Sequence, residues 1–248
     1  MDRAIVLLTP AYPAPEALRA DLPRLAQPPA SALAVPDTAF AELTEPAMTE
    51  VAAELRETAQ SAGLRLAALV SDAPLIDESP TLADRREPVA HTASPNVLRL
   101  LSLARALRAR TLSLPLHAME PPACRPHDRA RAALDALRAA RFDAEQHGCR
   151  LAVRMHAPPD WLSPLAARDL FDLANSCWVG LEVSTHWPAL ADWIDTLTHR
   201  IAAIRLHAPV PIAPLAEALA RARYLGPMLV PPEVPIESLA PLRAEERA

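Results

Sequence analysis

The sequence predicts a single (β/α)₈ barrel over residues 1–248, on three observations. Short β-like runs alternate with longer helical patterns, which implies a parallel sheet with helical crossovers. About eight such units in 248 residues fit a closed barrel better than the runner-up, an open doubly wound sheet. No strand is followed by a Gly-rich phosphate turn, and four glycines leave little room for one.

The elements follow in order. Residues 4–8 and 32–35 read as the first two strands. Residues 49–62 form a helix with Val51, Leu55, Ala59 and Ala62 on one face, and Gly63 ends it. A strand at 64–70 comes next. Residues 96–109 are helical with Leu100, Leu103, Ala104 and Leu107 inward, and a strand covers 111–114. A helix at 129–147, capped by Gly148, leads to a strand at 150–155. The segments Ala59–Ala67 and Ala144–Ala152 are two versions of one helix–Gly–strand joint. Further helices cover 164–174, 189–198 and 212–223, and strands cover 178–183, 201–206 and 228–230; a short helix ends the chain. The 28 prolines sit mostly between these segments and mark loops.

Composition narrows the function classes. Apolar residues are 51% and aromatic residues 4%, so the core is built mainly from Leu, Ala, Val and Ile. A net charge of −5 argues against general nucleic-acid binding, which needs a basic surface. Cys124, Cys149 and Cys177 are odd in number and lack C-x-x-C spacing, so they read as buried small residues rather than a disulfide framework or zinc site. No run approaches the length of a signal h-region or membrane span, so a soluble, cytoplasmic protein with no membrane partner is expected. Oligomeric state is left open.

In barrels of this kind chemistry sits at the C-terminal ends of the strands. The polar residues there are Tyr12, Asp37, Ser71, Asp72, His117, Glu120, Arg154, His156, Glu182, Ser184, His186, Arg205, His207 and Glu233. Four of the eight histidines fall at these ends.

Several runs carry a family resemblance. Ala144 to His156 is a helix–Gly–strand joint ending Arg-Met-His. Val179 to His186 and Arg200 to His207 follow, and Tyr224-Leu-Gly226 precedes the last strand. In order and spacing these resemble strands five to eight of the xylose-isomerase-like barrels, the sugar phosphate isomerase/epimerases. Residues 98–114 resemble the family's third helix and fourth strand, with Arg108 where a Gly is usual. The resemblance is strongest over residues 50–232. It implies a divalent cation held by carboxylates and histidines, orienting a hydroxy-carbonyl sugar while a proton moves between adjacent carbons.

Carried over position by position, that ligand set is largely replaced. The fifth-strand Glu falls on Arg154, and the sixth-strand Asp on Val183, with Glu182 expected on the opposite face. The seventh-strand His falls on Arg205, and the last-strand Glu near Pro231. Only His156 and His186 match outright. Arginine cannot ligate a metal. Two guanidinium groups roughly 4–6 Å from a cation would repel it by several kcal/mol even at an effective dielectric near 20.

The leading expectation is therefore a sugar phosphate isomerase/epimerase-like barrel with a degenerate metal site and no required cofactor, acting on or binding a small anionic sugar or hydroxy acid. His156 and His186 would move protons; Arg154, Arg205, His117, His207 and Glu182 would hold the ligand. Two alternatives remain: a non-catalytic relative that binds a ligand or partner protein, its arginines plugging the mouth as ion pairs such as Arg154 with Glu182, and a shifted-register divalent site made of Glu182, His186, His207 and Glu233.

Overall fold

The computed structural model describes residues 5–26, 31–76, 94–117, 126–155 and 162–243. Eight parallel strands close into a barrel in sequence order: β1 (Ile5–Leu8), β2 (Ala32–Pro36), β3 (Arg65–Val70), β4 (Thr111–Pro115), β5 (Arg150–Arg154), β6 (Val179–Ser184), β7 (Ile201–Arg205) and β8 (Met228–Val230). β8 returns to pair with β1, so no sheet edge is left exposed. The intervening helices are α1 (Pro15–Leu25), α2 (Glu45–Ser61), α3 (Pro95–Leu107), α4 (Pro126–His147), α5 (Pro164–Ala174), α6 (Leu190–Leu197) and α7 (Ile212–Arg221), with α8 (Ala240–Arg243) at the end.

Helix α1 went unmarked in the sequence because Pro15 and Pro23 read as loop signals. Pro15 instead opens the helix, where its missing N–H has no intrahelical partner to lose, and Pro23 lies in its last turn. Leu18 and Leu22, one turn apart, are fully buried. Prolines also open α2, α3 and α5, so many of them start helices rather than interrupt them. On α2 the buried face is Met48, Ala52, Leu55 and Ala59, shifted slightly from the expected one.

The helix–Gly–strand joint occurs as predicted at Gly63 (φ +79°) and Gly148 (φ +63°). The α3–β4 connection keeps the same left-handed turn with Arg108 at φ +56°. A side chain there is strained against the following carbonyl by about 1 kcal/mol.

Two cores result. Leucine-rich faces of the helices pack on the outward side chains of the strands, including Leu181, Val183 and Ile204. The barrel lumen is a separate cluster of Val6, Ala32, Ala34, Ala68, Ala152, Ala202, Ala203 and Leu229. Alanines alone cannot fill a barrel interior, and longer inward side chains lie above them at the C-terminal end.

Cys149 is buried as expected, and burial pushes its thiol up to about 12. Cys177 is exposed, contrary to expectation, because it lies in the α5–β6 turn; Cys124 lies outside the described residues. Among the described residues no helix is long and apolar enough to cross a membrane.

Candidate functional site

The polar residues at the barrel mouth come from inward positions of adjacent strands. Arg154 stands beside Glu182 in the β5–β6 register, and Ser184 beside Arg205 in the β6–β7 register. Strand β6 alternates regularly here: Glu182 and Ser184 face inward, while Leu181 and Val183 join the outer core. The expectation that Glu182 points away from the site is therefore wrong. Position 183, matched to a metal ligand, is the outward one, and an inward carboxylate is retained at 182.

That carboxylate is not free to serve a cation. Arg205 donates through Nε to Glu182 Oε1 at 2.6 Å. Arg205 also donates through Nη2 to Ser113 Oγ at 3.2 Å, so its fork does not close bidentately on the carboxylate. Arg154 donates through Nη1 to the same Ser113 Oγ at 3.2 Å. Arg154 Nη2 reaches the Ser71 carbonyl at 2.7 Å and the Asp72 carboxylate. Glu182 thus pairs with Arg205, not with Arg154. Glu182 is 2% exposed, and its Oε2 has no hydrogen-bond partner among the described residues. Burial lowers the Arg154 pKa from its ordinary value; Arg205 adds to the effect, and Glu182 and Asp72 oppose it.

The histidines form a second group beside this one. His186 and His207 meet edge to face, with ring centroids 4.6 Å apart. His186 Nδ1 lies 2.6 Å from Ser184 Oγ, and the His207 amide donates to Thr185 Oγ1 at 2.8 Å. Burial lowers the His207 pKa from 6.5, and the neighbouring His186 and Arg205 add to the effect; Glu233 and Glu182 oppose it. His117 extends β4 through a parallel bridge to Ile76, at the rim. Glu233 is exposed beyond β8. His156 and Glu120 lie outside the described residues.

Ser113 was not foreseen. Its signal was the alternation Thr111-Leu-Ser-Leu-Pro115, in which the polar positions share one strand face. Ser71 and Asp72 stood at a predicted strand end but were not assigned to the site. Ser71 Oγ donates to Asp37 Oδ2 at 2.8 Å, extending the network to β2, and burial raises the Asp37 pKa.

The described residues do not fit a divalent cation. No three His, Cys, Asp or Glu side chains among them are grouped to hold one, the shifted-register set of Glu182, His186, His207 and Glu233 included. Hard cations need several anionic oxygen ligands, whereas the inward carboxylate here already serves a guanidinium.

These features define an eight-stranded parallel α/β barrel whose mouth is lined by paired arginines and histidines. More narrowly, the fold is that of the xylose-isomerase-like TIM barrels, as three solved structures illustrate. A D-psicose 3-epimerase from Clostridium cellulolyticum H10 superposes with a TM-score of 0.71 at 14% identity, covering 94% of this chain and 85% of that one. The 3-keto-D-glucoside 4-epimerase YcjR from E. coli gives 0.68 at 12% identity, covering 96% of each chain. A xylose isomerase-like TIM barrel protein from Mycobacterium smegmatis, in complex with magnesium, gives 0.65 at 13% identity, covering 92% of this chain and 89% of that one. No family model matches the sequence, and no curated protein matches it.

Proposed function

We propose that this protein is a sugar isomerase/epimerase-like barrel whose mouth binds a small anionic sugar or hydroxy acid in place of a metal-chelated sugar. The observation that carries this reading is the convergence of Arg154 and Arg205 on Ser113 Oγ. Of the five N–H groups of Arg205, two are engaged by Glu182 and Ser113, and the other three have no acceptor among the described residues. A carboxylate or phosphate oxygen suits such a planar donor edge.

Proton transfer next to a carbonyl moves negative charge onto the carbonyl oxygen. Arg205 would stabilise that oxygen through its remaining N–H groups. His186 is the described histidine assigned to move the proton, with His156 its partner from the sequence. His207, whose pKa burial lowers from its ordinary value, supports His186 as a second acceptor. The solved epimerases of this fold support the reaction class by analogy of fold.

One observation favours the non-catalytic alternative: both arginines already face carboxylates, Arg154 with Asp72 and Arg205 with Glu182. The two readings separate in one experiment. Anionic sugars and hydroxy acids are screened by thermal shift, and any ligand that binds is incubated with the protein in D₂O and followed by NMR. Binding lost in Arg205→Ala, with deuterium entering at carbon, is the expected result. Binding without exchange would favour the non-catalytic protein, and no binding across the panel would sink the anion site.

A further inference from the structure

We propose that the mouth selects a monoanionic α-hydroxy acid: its carboxylate sits on the uncommitted N–H groups of Arg205, and its hydroxyl donates to Glu182 Oε2. This rests on the preceding reading that the mouth binds a small anion, and it chooses among anions.

The first support is the state of Glu182. A carboxylate oxygen buried without a donor is costly, and such atoms are rare in native proteins. Here the cause is visible. Arg205 could have closed both nitrogens onto both carboxylate oxygens, but Ser113 draws Nη2 away, and only Nε meets Oε1. Glu182 Oε2 is left as a buried acceptor with no donor among the described residues. Arg205, with two of its five N–H groups engaged, keeps three donors that have no acceptor among the described residues. A ligand that completes both must carry an anionic acceptor and a neutral donor close together. A carboxylate with a hydroxyl on the adjacent carbon has that arrangement.

The second support is charge. The hydrogen-bonded cluster holds two cations, Arg154 and Arg205, and three carboxylates, Glu182, Asp72 and, through Ser71, Asp37, so its formal charge is not positive. The hydration free energy a ligand gives up on leaving water grows with the square of its charge. A dianion therefore loses roughly four times what a monoanion does, with no net positive charge to offset it. A phosphate monoester fits this cluster worse than a carboxylate does.

The test is isothermal titration with lactate of both hands, propionate and inorganic phosphate, on the wild type and Glu182→Gln. Lactate and propionate differ by the one hydroxyl at issue. One lactate enantiomer should bind at least about tenfold tighter than propionate and than phosphate. In Glu182→Gln the lactate-to-propionate ratio should fall toward one while propionate binding is retained. Equal binding of lactate and propionate to the wild type overturns the proposal, and so does an unchanged ratio in folded Glu182→Gln. Phosphate binding tightest overturns this inference and leaves the anion-binding mouth standing. No binding of any of the four overturns both. The wild-type comparison decides the matter even if the variant does not fold.

Discussion

Arg205 and Glu182 form an ion pair in which the glutamate side chain is 1% exposed while the arginine side chain is 18% exposed. The acid is held inside the barrel and the base reaches up to its mouth. Removing one partner of such a pair strands the other charge, whereas replacing both with apolar groups need not. Arg205→Met should lower stability by about 3 kcal/mol or more, and Arg205→Met with Glu182→Met should recover much of the loss. Denaturant unfolding of the four members of that cycle checks this. Additive losses would mean that the two side chains do not act as a pair.

Ser113 accepts from both arginines and is fully buried. Ser113→Ala removes that acceptor and should cost about 1–3 kcal/mol. It also frees Nη2 of Arg205 to turn toward Glu182 Oε2. Anion affinity should therefore drop along with stability, which calorimetry and titration would show; unchanged affinity would remove Ser113 from the site.

His207 makes stability depend on pH. Its folded pKa lies below the ordinary 6.5, so below that value the unfolded chain binds more protons than the folded one. Its stabilising contribution is present above pH 6.5 and is lost as pH falls through the lower, folded value. Thermal midpoints measured from roughly pH 8 to pH 5 should decline on the acid side, and less steeply in His207→Gln. An identical slope in the variant would assign the decline elsewhere.

Arg108 holds a left-handed conformation at the end of α3, where glycine does so without strain. Arg108→Gly should stabilise the protein by up to about 1 kcal/mol, since relief of strain competes with the greater freedom of glycine in the unfolded chain. A lower unfolding midpoint for Arg108→Gly would show that the arginine side chain contributes more than its backbone costs.

No described group of ligands fits a divalent cation. Millimolar magnesium or manganese, or a chelator, should accordingly shift the unfolding midpoint by no more than about 1 °C, because a ligand stabilises only the state that binds it. A larger shift, together with stoichiometric metal in the purified protein, would mean that residues outside the described segments complete a metal site.

What the sequence determined by itself is the barrel. Period-3.6 helices, short strands and glycine stops are local signals, and they placed α5 and β8 to the residue. They failed at α1, where prolines that open and sit late in a helix look like loop residues. The same local reasoning brought Arg154, Arg205, Glu182, His186 and His207 to one end of the barrel. Only the tertiary structure decided which way they face and whom they meet. Glu182 was set on the wrong face because a one-residue error in aligning a strand reverses every side chain on it. The choice of partner for each arginine depended on inter-strand register and on Ser113, a buried hydroxyl on a third strand. Such pairing is a long-range property: Arg205 and Ser113 are 92 residues apart in sequence and 3.2 Å apart at the mouth.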